Sequence, residues 1–384
     1  MHTITRRAAM LGGAAILKGR FALFAQTRAE YSARTIGLLE ATPVVDLLNQ
    51  FRFEDFSEKP PRITRWLDKP ASFSEADAAV YRSSRTDVYS LGAGPGDYES
   101  ALCFMARWDG FLAGNPDKLV RVTSVADIEL AHRTRRTGVM LTFQDSTHFR
   151  TPADVAEFHR LGQRISQLTY NFNNRIGSGF LENRDGGLSV FGGTILKRME
   201  EVGMAVDVSH CADQTTLDAI EAATKPVLFT HGTCRALIPK LMRAKTDEAI
   251  RKMAKTGGMM GLDFIRFMVS ESEPVGLAKV LDHFDYARKL VGTEHLGIGS
   301  DLDVVGNGNP VGGGGFNPQS QPNFARYGYH VDAPDHVAVT GLDHPKRLFD
   351  LTEGLIGRGY SDDEIRGILG GNARRVLGAI WGSA

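Results

Sequence analysis

The sequence predicts a single (β/α)8 barrel, and three observations support this prediction. Short apolar runs alternate with amphipathic stretches, without a low-complexity linker that would divide domains. Two of these runs end on a histidine, His210 and His231, and one amphipathic stretch at about residues 213–223 separates them. This is the spacing of successive βα units, whose strand ends meet on one face of a barrel. The length of 384 residues also suits such a barrel as one domain.

The elements follow in order along the chain. Apolar runs predict seven strands, at about residues 43–48, 138–144, 165–170, 204–209, 226–230, 258–263 and 295–300. An eighth strand is expected between residues 85 and 135, around residues 100–104. Helices are expected at about residues 153–163, 190–202, 213–223, 246–256 and 276–291. Ser361 and Glu364 form a capping box that begins the last helix, and Gly370 and Gly371 are expected to end it.

Two long segments follow predicted strands, at about residues 51–98 and 304–338. Both are predicted as loops over the active face of the barrel, because loops of this length in a compact domain often act as lids or binding loops. The second loop contains His330, which could reach the site from above or lie on the surface.

Composition narrows the class of protein. Hydrophobic residues make up 42% and charged residues 23%, with a formal net charge of zero. Without a basic stripe, neither nucleic-acid nor anionic-membrane binding is predicted. No segment reaches the roughly 18–20 apolar residues of a transmembrane helix.

The N-terminus resembles a bacterial twin-arginine export signal. Arg6 and Arg7 precede a mildly apolar stretch at residues 8–17, which is too short to span a bilayer. We therefore expect residues 1–29 to be a signal region and residues 30–384 to form the barrel, in the periplasm or outside the cell.

Residues with metal-binding chemistry stand at three predicted strand ends. His210, His231 and Asp301 should converge there, which favours a metal site over two merely hydrogen-bonded histidines. Cys211 and Cys234 lie close to the two histidines, but adjacent strand residues point to opposite faces, which disfavours Cys211 as a ligand beside His210. With Cys103 the count is three, so one disulfide and a free thiol remain open.

Four segments resemble the renal (membrane) dipeptidase family of zinc peptidases. They are VDVSH, which ends at His210, FTHGTCRAL around His231, GIGSDLD around Asp301, and RGYSDDEIRGILGGNARRV at residues 358–376. The resemblance runs in order from about residue 40 to the end. It implies an amidohydrolase-type barrel in which two zinc ions and a bridging water cleave dipeptides. It implies that His210 and His231 bind the second zinc, that Asp301 handles the proton, and that Arg243 grips the substrate carboxylate.

The chain departs from the family pattern at the first zinc. The family has a strand ending Asp-Gly-His-Asn-Asp, but here Leu48 replaces the histidine and Gln50 replaces the last aspartate. Gln144 replaces the bridging glutamate. Leucine cannot coordinate, and a glutamine oxygen is a poor zinc ligand. Tyr170 stands where many relatives carry a substrate-facing histidine, and Asn171 beside it is a further candidate for substrate binding.

These observations predict an exported dipeptidase-like metallohydrolase that cleaves a dipeptide or related amide with a mononuclear site. One zinc at most is expected, on His210 and His231, with Asp301, Gln144 or Asp263 as the third ligand. Tyr170 would donate to the developing oxyanion. The alternative is a metal-free relative that binds or matures a peptide-derived metabolite without hydrolysis. The resemblance also suggests a homodimer.

Overall fold

The computed structural model describes residues 30–51, 60–306 and 338–382. Its parallel strands are β1 (Val45–Asn49), β2 (Val88–Leu91), β3 (Leu119–Arg121), β4 (Thr137–Phe143), β5 (Gln163–Gln167), β6 (Ala205–Asp207), β7 (Leu228–Gly232), β8 (Met259–Leu262) and β9 (Leu296–Ile298). Eight of them close a ring in the order β1, β2, β4, β5, β6, β7, β8, β9, and β9 pairs back on β1. The ninth, β3, pairs with the start of β4 outside the ring. The predicted (β/α)8 barrel is confirmed.

Helices alternate with the strands and cover the outside of the ring. They are α1 (Ala33–Ala41), α2 (Arg62–Asp68), α3 (Glu75–Ser83), α4 (Tyr98–Ala113), α5 (Val125–Thr134), α6 (Pro152–Arg160), α7 (Val190–Val202), α8 (Asp213–Ala222), α9 (Asp247–Lys255), α10 (Arg266–Val269), α11 (Leu277–Val291), α12 (Arg347–Gly357), α13 (Asp362–Arg366) and α14 (Asn372–Trp381). No helix in these described ranges is long and apolar enough to cross a membrane.

The strand predicted around residues 100–104 is wrong, because these residues lie in α4. Asp97 caps this helix by accepting a hydrogen bond from the Ser100 amide at 2.9 Å. Ala101, Met105 and Trp108 are buried at helical spacing, so one face of α4 covers the barrel. The eighth barrel strand is β2, which lies within the predicted range of 85–135 but before residues 100–104, and it is only four residues long.

The long loop predicted at residues 51–98 is also wrong, since α2, α3 and β2 lie within it. An aromatic cluster orders this region. The Trp66 ring lies 4.9 Å from Phe73, and Phe73 lies 5.4 Å from Phe111 of α4. The second predicted loop falls mostly on residues 307–337, which with His330 and the signal region at 1–29 lie outside the described residues.

The C-terminal segment closes one end of the barrel. Ser361 and Glu364 form the predicted capping box of α13. The glycine pair marks the end of this helix as predicted, because Gly370 has non-helical backbone angles (φ 176°, ψ −13°) within the turn at Gly367–Gly371, and α14 begins beyond this kink. Residues of α14 share one buried cluster with Leu228 and Met259, at the starts of their strands. The carboxyl ends of the strands are therefore left for the site.

Candidate active site

Two imidazoles from neighbouring barrel strands meet at the carboxyl end of the barrel. His231 lies within β7, and His210 follows β6 by three residues. Both side chains are buried, and the two Nε2 atoms are 2.9 Å apart. The structure thus brings together the two histidines at the strand ends.

The outer nitrogen of each imidazole is already committed as a donor. The Thr230 hydroxyl donates to Asp207 Oδ2 at 2.7 Å, so its oxygen accepts from Nδ1–H of His231 at 3.0 Å. Nδ1–H of His210 donates to Asn171 Oδ1 at 2.9 Å. Such outer partners fix the tautomer of a metal-binding histidine and leave its other nitrogen free to coordinate.

With a proton on each Nδ1, both Nε2 atoms carry a lone pair, and these two lone pairs face each other. Burial, followed by the charge of Arg243, lowers the pKa of both imidazoles well below the ordinary value, so protonation of either ring is disfavoured. Two facing lone pairs at this distance repel each other unless a cation lies between them. The donor set of His210 and His231 therefore fits one metal ion held by two imidazoles.

The same corner of the barrel does not fit a pair of metal ions. Leu48, Gln50 and Gln144 converge next to Gly92, where a Cβ atom would lie 3.1 Å from Gln144 Oε1, 3.3 Å from Gln50 Nε2 and 3.4 Å from Leu48 Cδ1. An apolar side chain and two neutral amides thus occupy this position. Within the described ranges, no three His, Cys, Asp or Glu side chains are grouped so as to hold a metal.

The two glutamines make hydrogen bonds to neighbouring polar groups of the site. Gln50 Nε2 donates to Asp301 Oδ1 at 2.6 Å. Gln144 Nε2 lies 3.3 Å from His231 Nε2, so this amide borders the imidazole pair. Gln144, one of the candidates for a third ligand, thus contacts a histidine of the pair.

A buried cation and a buried acid complete the floor of the site. Arg243 is 1% exposed and donates from Nη2 to the His231 carbonyl oxygen at 3.0 Å. Its Nε and Nη1 have no hydrogen-bond partner among the described residues. Asp263 accepts from the Ile265 amide through Oδ1 at 2.7 Å, and burial followed by the charge of Asp301 raises the pKa of its carboxyl well above the ordinary value.

Tyr170 and Asn171 both contact His210, and Tyr170 lies on the solvent-exposed side of the site. The Tyr170 ring stacks on His210 with centroids 4.3 Å apart, and this side chain is 41% exposed. The Asn171 oxygen bonds to His210, so this residue acts on the imidazole directly.

The thiols near the histidines are protonated and not crosslinked. All three cysteines are free, so no disulfide forms among them. Burial raises the pKa of Cys211 to about 11 and that of Cys234 to about 12, which keeps both thiols neutral.

Two residues that support the site were missed by the sequence analysis. Lys245 is buried and its Nζ donates to the carbonyl oxygens of Val208 at 2.7 Å and Cys211 at 3.1 Å, which fixes the turn that carries His210. Asp207 accepts from Ser209 Oγ at 2.5 Å as well as from Thr230. The available signal was a single aspartate inside the apolar run of β6.

Comparisons with known proteins find dipeptidases and structures with the same fold. Dipeptidase aclJ from Aspergillus oryzae is 29% identical over 272 residues, which cover 69% of this chain and 57% of that protein. Dipeptidase verJ from Clonostachys rogersoniana is 27% identical over 378 residues, 91% of this chain and 87% of that protein. An amidohydrolase structure from Pseudomonas aeruginosa superposes with a TM-score of 0.75 at 24% identity, over 91% of this chain and 99% of that one.

A match to a family model assigns this chain to a protein family. Residues 79–313, well over half of the chain, match the model described as membrane dipeptidase (peptidase family M19). This range includes both histidines of the pair, Arg243 and Asp301. The chain belongs to the membrane dipeptidase family.

Proposed function

We propose that this protein is a dipeptidase-like hydrolase whose altered site holds one metal ion, with zinc as the expected metal. The observation that carries the proposal is the 2.9 Å approach of His210 Nε2 to His231 Nε2 while both Nδ1 atoms are committed as donors. Gln144, whose side-chain amide borders His231, is the proposed third protein ligand through its carbonyl oxygen Oε1, since the amide nitrogen has no lone pair for a metal. Bound zinc supplies Lewis acidity, which polarises a carbonyl group and lowers the pKa of a bound water.

Asp301 is the proposed general base and acid. Gln50 holds one of its carboxylate oxygens through a 2.6 Å hydrogen bond, which restricts rotation of the carboxylate. Asp301 accepts a proton from the attacking water and returns it to the leaving amine. Tyr170, stacked on His210 and partly exposed, is the proposed donor to the developing oxyanion.

Arg243 is the proposed partner of the substrate carboxylate. A guanidinium group that is buried with Nε and Nη1 unpaired among the described residues retains N–H donors and a positive charge for a carboxylate. Burial raises the pKa of the neighbouring Asp263 carboxyl well above its ordinary value, which weakens its competition for this positive charge. The substrate class is therefore a dipeptide or a related amide with a free carboxylate.

The first experiment measures metal content by inductively coupled plasma mass spectrometry on protein purified without chelator. We expect about one zinc per chain, lost in His210→Ala and retained in the control variant His159→Ala, which removes a half-buried histidine of α6. The same preparations are then tested on dipeptides, and activity should follow the metal. A protein that remains metal-free after zinc reconstitution, or one that hydrolyses dipeptides equally well without metal, contradicts the proposal.

A second candidate is a metal-free relative that binds or matures a peptide-derived metabolite. The observation that favours it is the convergence of Gln50 and Gln144 at Gly92, because their amides place hydrogen-bond groups where the family pattern has charged ligands. This candidate predicts binding of intact dipeptide through Arg243 without stoichiometric metal. Equal dipeptide affinity in Arg243→Ala, measured by calorimetry, would exclude it.

We also propose export by the twin-arginine route, on the basis of Arg6, Arg7 and the apolar stretch that follows them. A fusion of residues 1–35 to a reporter should reach the periplasm of a bacterial host. Replacing both arginines by lysine should retain the reporter in the cytoplasm, and export that is indifferent to this change would contradict the proposal.

A further inference from the structure

A chamber of about 350 Å³ lies beside the imidazole pair. It is lined by Gly92, Gly94, Pro95, Gly96, Gln144, Asp145, Thr147 and Tyr170. Two of these residues also contact the histidines, since Gln144 borders His231 and Tyr170 stacks on His210. The chamber therefore adjoins the proposed reaction centre, and its volume is near the lower end of small-molecule sites, roughly 300–1,000 Å³.

Among the described residues that line the chamber, Asp145 is the only charged one. It comes directly after Gln144 at the end of β4, so the adjacent strand fixes the position of its backbone. Its Oδ1 accepts from the Thr147 amide at 2.8 Å, the Thr147 hydroxyl at 2.6 Å and Asn174 Nδ2 at 2.8 Å. All these donors reach the same oxygen, which fixes the carboxylate and leaves the capacity of Oδ2 for a ligand.

The glycines after β2 provide the space. A Cβ atom on Gly94 would meet no other atom within 4 Å, so the absence of a side chain there leaves open volume and does not relieve a clash. A larger residue at this position can thus fill the chamber without displacing the barrel.

Charge is distributed unequally around the site. Arg243, buried under His231, provides a fixed positive charge, while Asp145 provides a negative charge on the chamber side. A free dipeptide carries the complementary pair, a carboxylate at one end and an ammonium group at the other. The scissile bond of a dipeptide lies between its carboxylate and its ammonium group. In the same way, the imidazole pair lies between Arg243 and the chamber.

We infer that the chamber binds the residue on the amino side of the scissile bond and that Asp145 recognises an ammonium group of that residue. This inference rests on the proposed function, because it takes the imidazole pair as the reaction centre. The ammonium group can be the α-amino group of the substrate or the end of a lysine-like side chain. Asp145 is a binding residue in this scheme and takes no part in proton transfer.

The test is calorimetric titration of three probes into protein that carries Asp301→Asn, with mass spectrometry to verify that each probe remains intact. Alanyl-alanine carries only the α-ammonium group, N-acetyl-lysyl-alanine only the side-chain ammonium group, and N-acetyl-alanyl-alanine neither. Asp145→Asn is compared with Asp117→Asn, which removes an equal charge from an exposed position. Asparagine keeps an Oδ1 atom for the three internal donors, so the turn at residue 145 should persist.

We expect Asp145→Asn to weaken alanyl-alanine binding by about tenfold or more, as for a lost hydrogen bond to a charged group, with no change for N-acetyl-alanyl-alanine or in Asp117→Asn. Selective weakening of N-acetyl-lysyl-alanine would instead identify the side-chain ammonium group as the ligand. The inference is wrong if Asp145→Asn binds both ammonium probes as tightly as its parent, or if no probe binds.

A second variant tests the chamber itself. Gly94→Leu should reduce binding of every ammonium probe that Asp145 recognises, and unchanged affinity would show that the substrate lies elsewhere. The proposed function is tested separately, by measuring metal-dependent hydrolysis with protein that has the native Asp301. The titrations do not depend on turnover, so the two failures can be distinguished.

Discussion

The side-chain amide of Gln50 donates a 2.6 Å hydrogen bond to the carboxylate of Asp301. The backbone amide of Asp301 donates in turn to the Leu48 carbonyl oxygen at 2.9 Å, and Asp301 adopts a left-handed backbone conformation with φ of 55°. The end of β1 and the segment that follows β9 are thus joined twice. In a site that lacks acidic ligands at positions 48, 50 and 144, a neutral amide orients the acid.

Replacing Gln50 by alanine should lower kcat for dipeptide hydrolysis by roughly 10- to 100-fold with little change in KM, because Asp301 loses its orienting donor and substrate contacts remain. Steady-state kinetics check this. Gln214→Ala, which removes an amide that bonds to Asp218 at the same 2.6 Å on the surface, serves as the control. A rate equal to that of the native protein would show that Asp301 needs no such partner.

The Thr230→Val substitution should weaken zinc binding by roughly 10- to 100-fold, because His231 loses the acceptor that fixes its tautomer. Competition against a chromogenic chelator measures the affinity. Thr352→Val removes another buried hydroxyl, one that bonds only to the Leu348 carbonyl oxygen, and should bind zinc normally. Equal affinities in the two variants would refute a coordinating role for His231.

Loss of the buried ammonium group in Lys245→Met should lower the free energy of unfolding by about 3 kcal/mol, since the carbonyl groups of Val208 and Cys211 lose their donor. Urea unfolding at neutral pH gives this value. The exposed Lys289→Met variant should differ from the native protein by less than about 0.5 kcal/mol. A similarly small change in Lys245→Met would mean that the turn carrying His210 is stable without the Lys245 hydrogen bonds.

Acid should destabilise the fold through His283. The neutral ring is required here, because Nε2–H donates to the Val269 carbonyl oxygen at 2.8 Å while Nδ1 accepts from the Cys234 amide at 3.1 Å. Burial lowers the pKa of His283 from 6.5 to about 4. Since the folded pKa lies below the unfolded one, the contribution of this histidine to stability is present above the unfolded pKa and is lost as pH falls towards 4.

The loss from His283 should be about 2–3 kcal/mol between about pH 7.5 and pH 4.5. Urea unfolding of the native protein and His283→Gln at both pH values measures it. The stability difference between the two proteins should shrink in acid by this amount. A difference that does not change with pH would mean that protonation of His283 is not linked to unfolding.

Much of the fold could be predicted because its signals are local. The helix expected at residues 190–202 is α7, Val190–Val202, whose start is capped by Ser189 and whose end is marked by Gly203 with φ of 81°. The second strand was misplaced because β2 has only four residues, all buried, and offers too few positions for a period to show. The neighbouring α4 contains a run of apolar residues, and such a run is compatible with a strand as well as with a helix.

The sequence by itself determined the alternation of strands and helices, the histidines at two strand ends, and the replacement of acidic ligands by Leu48, Gln50 and Gln144. Only the tertiary structure decided what these side chains touch. Gln50 and Asp301 are 251 positions apart and meet because β9 pairs with β1 to close the barrel. Closure is a long-range event that local propensity does not encode, so the imidazole contact, the ammonium group of Lys245 and the chamber at Asp145 became visible only in the folded chain.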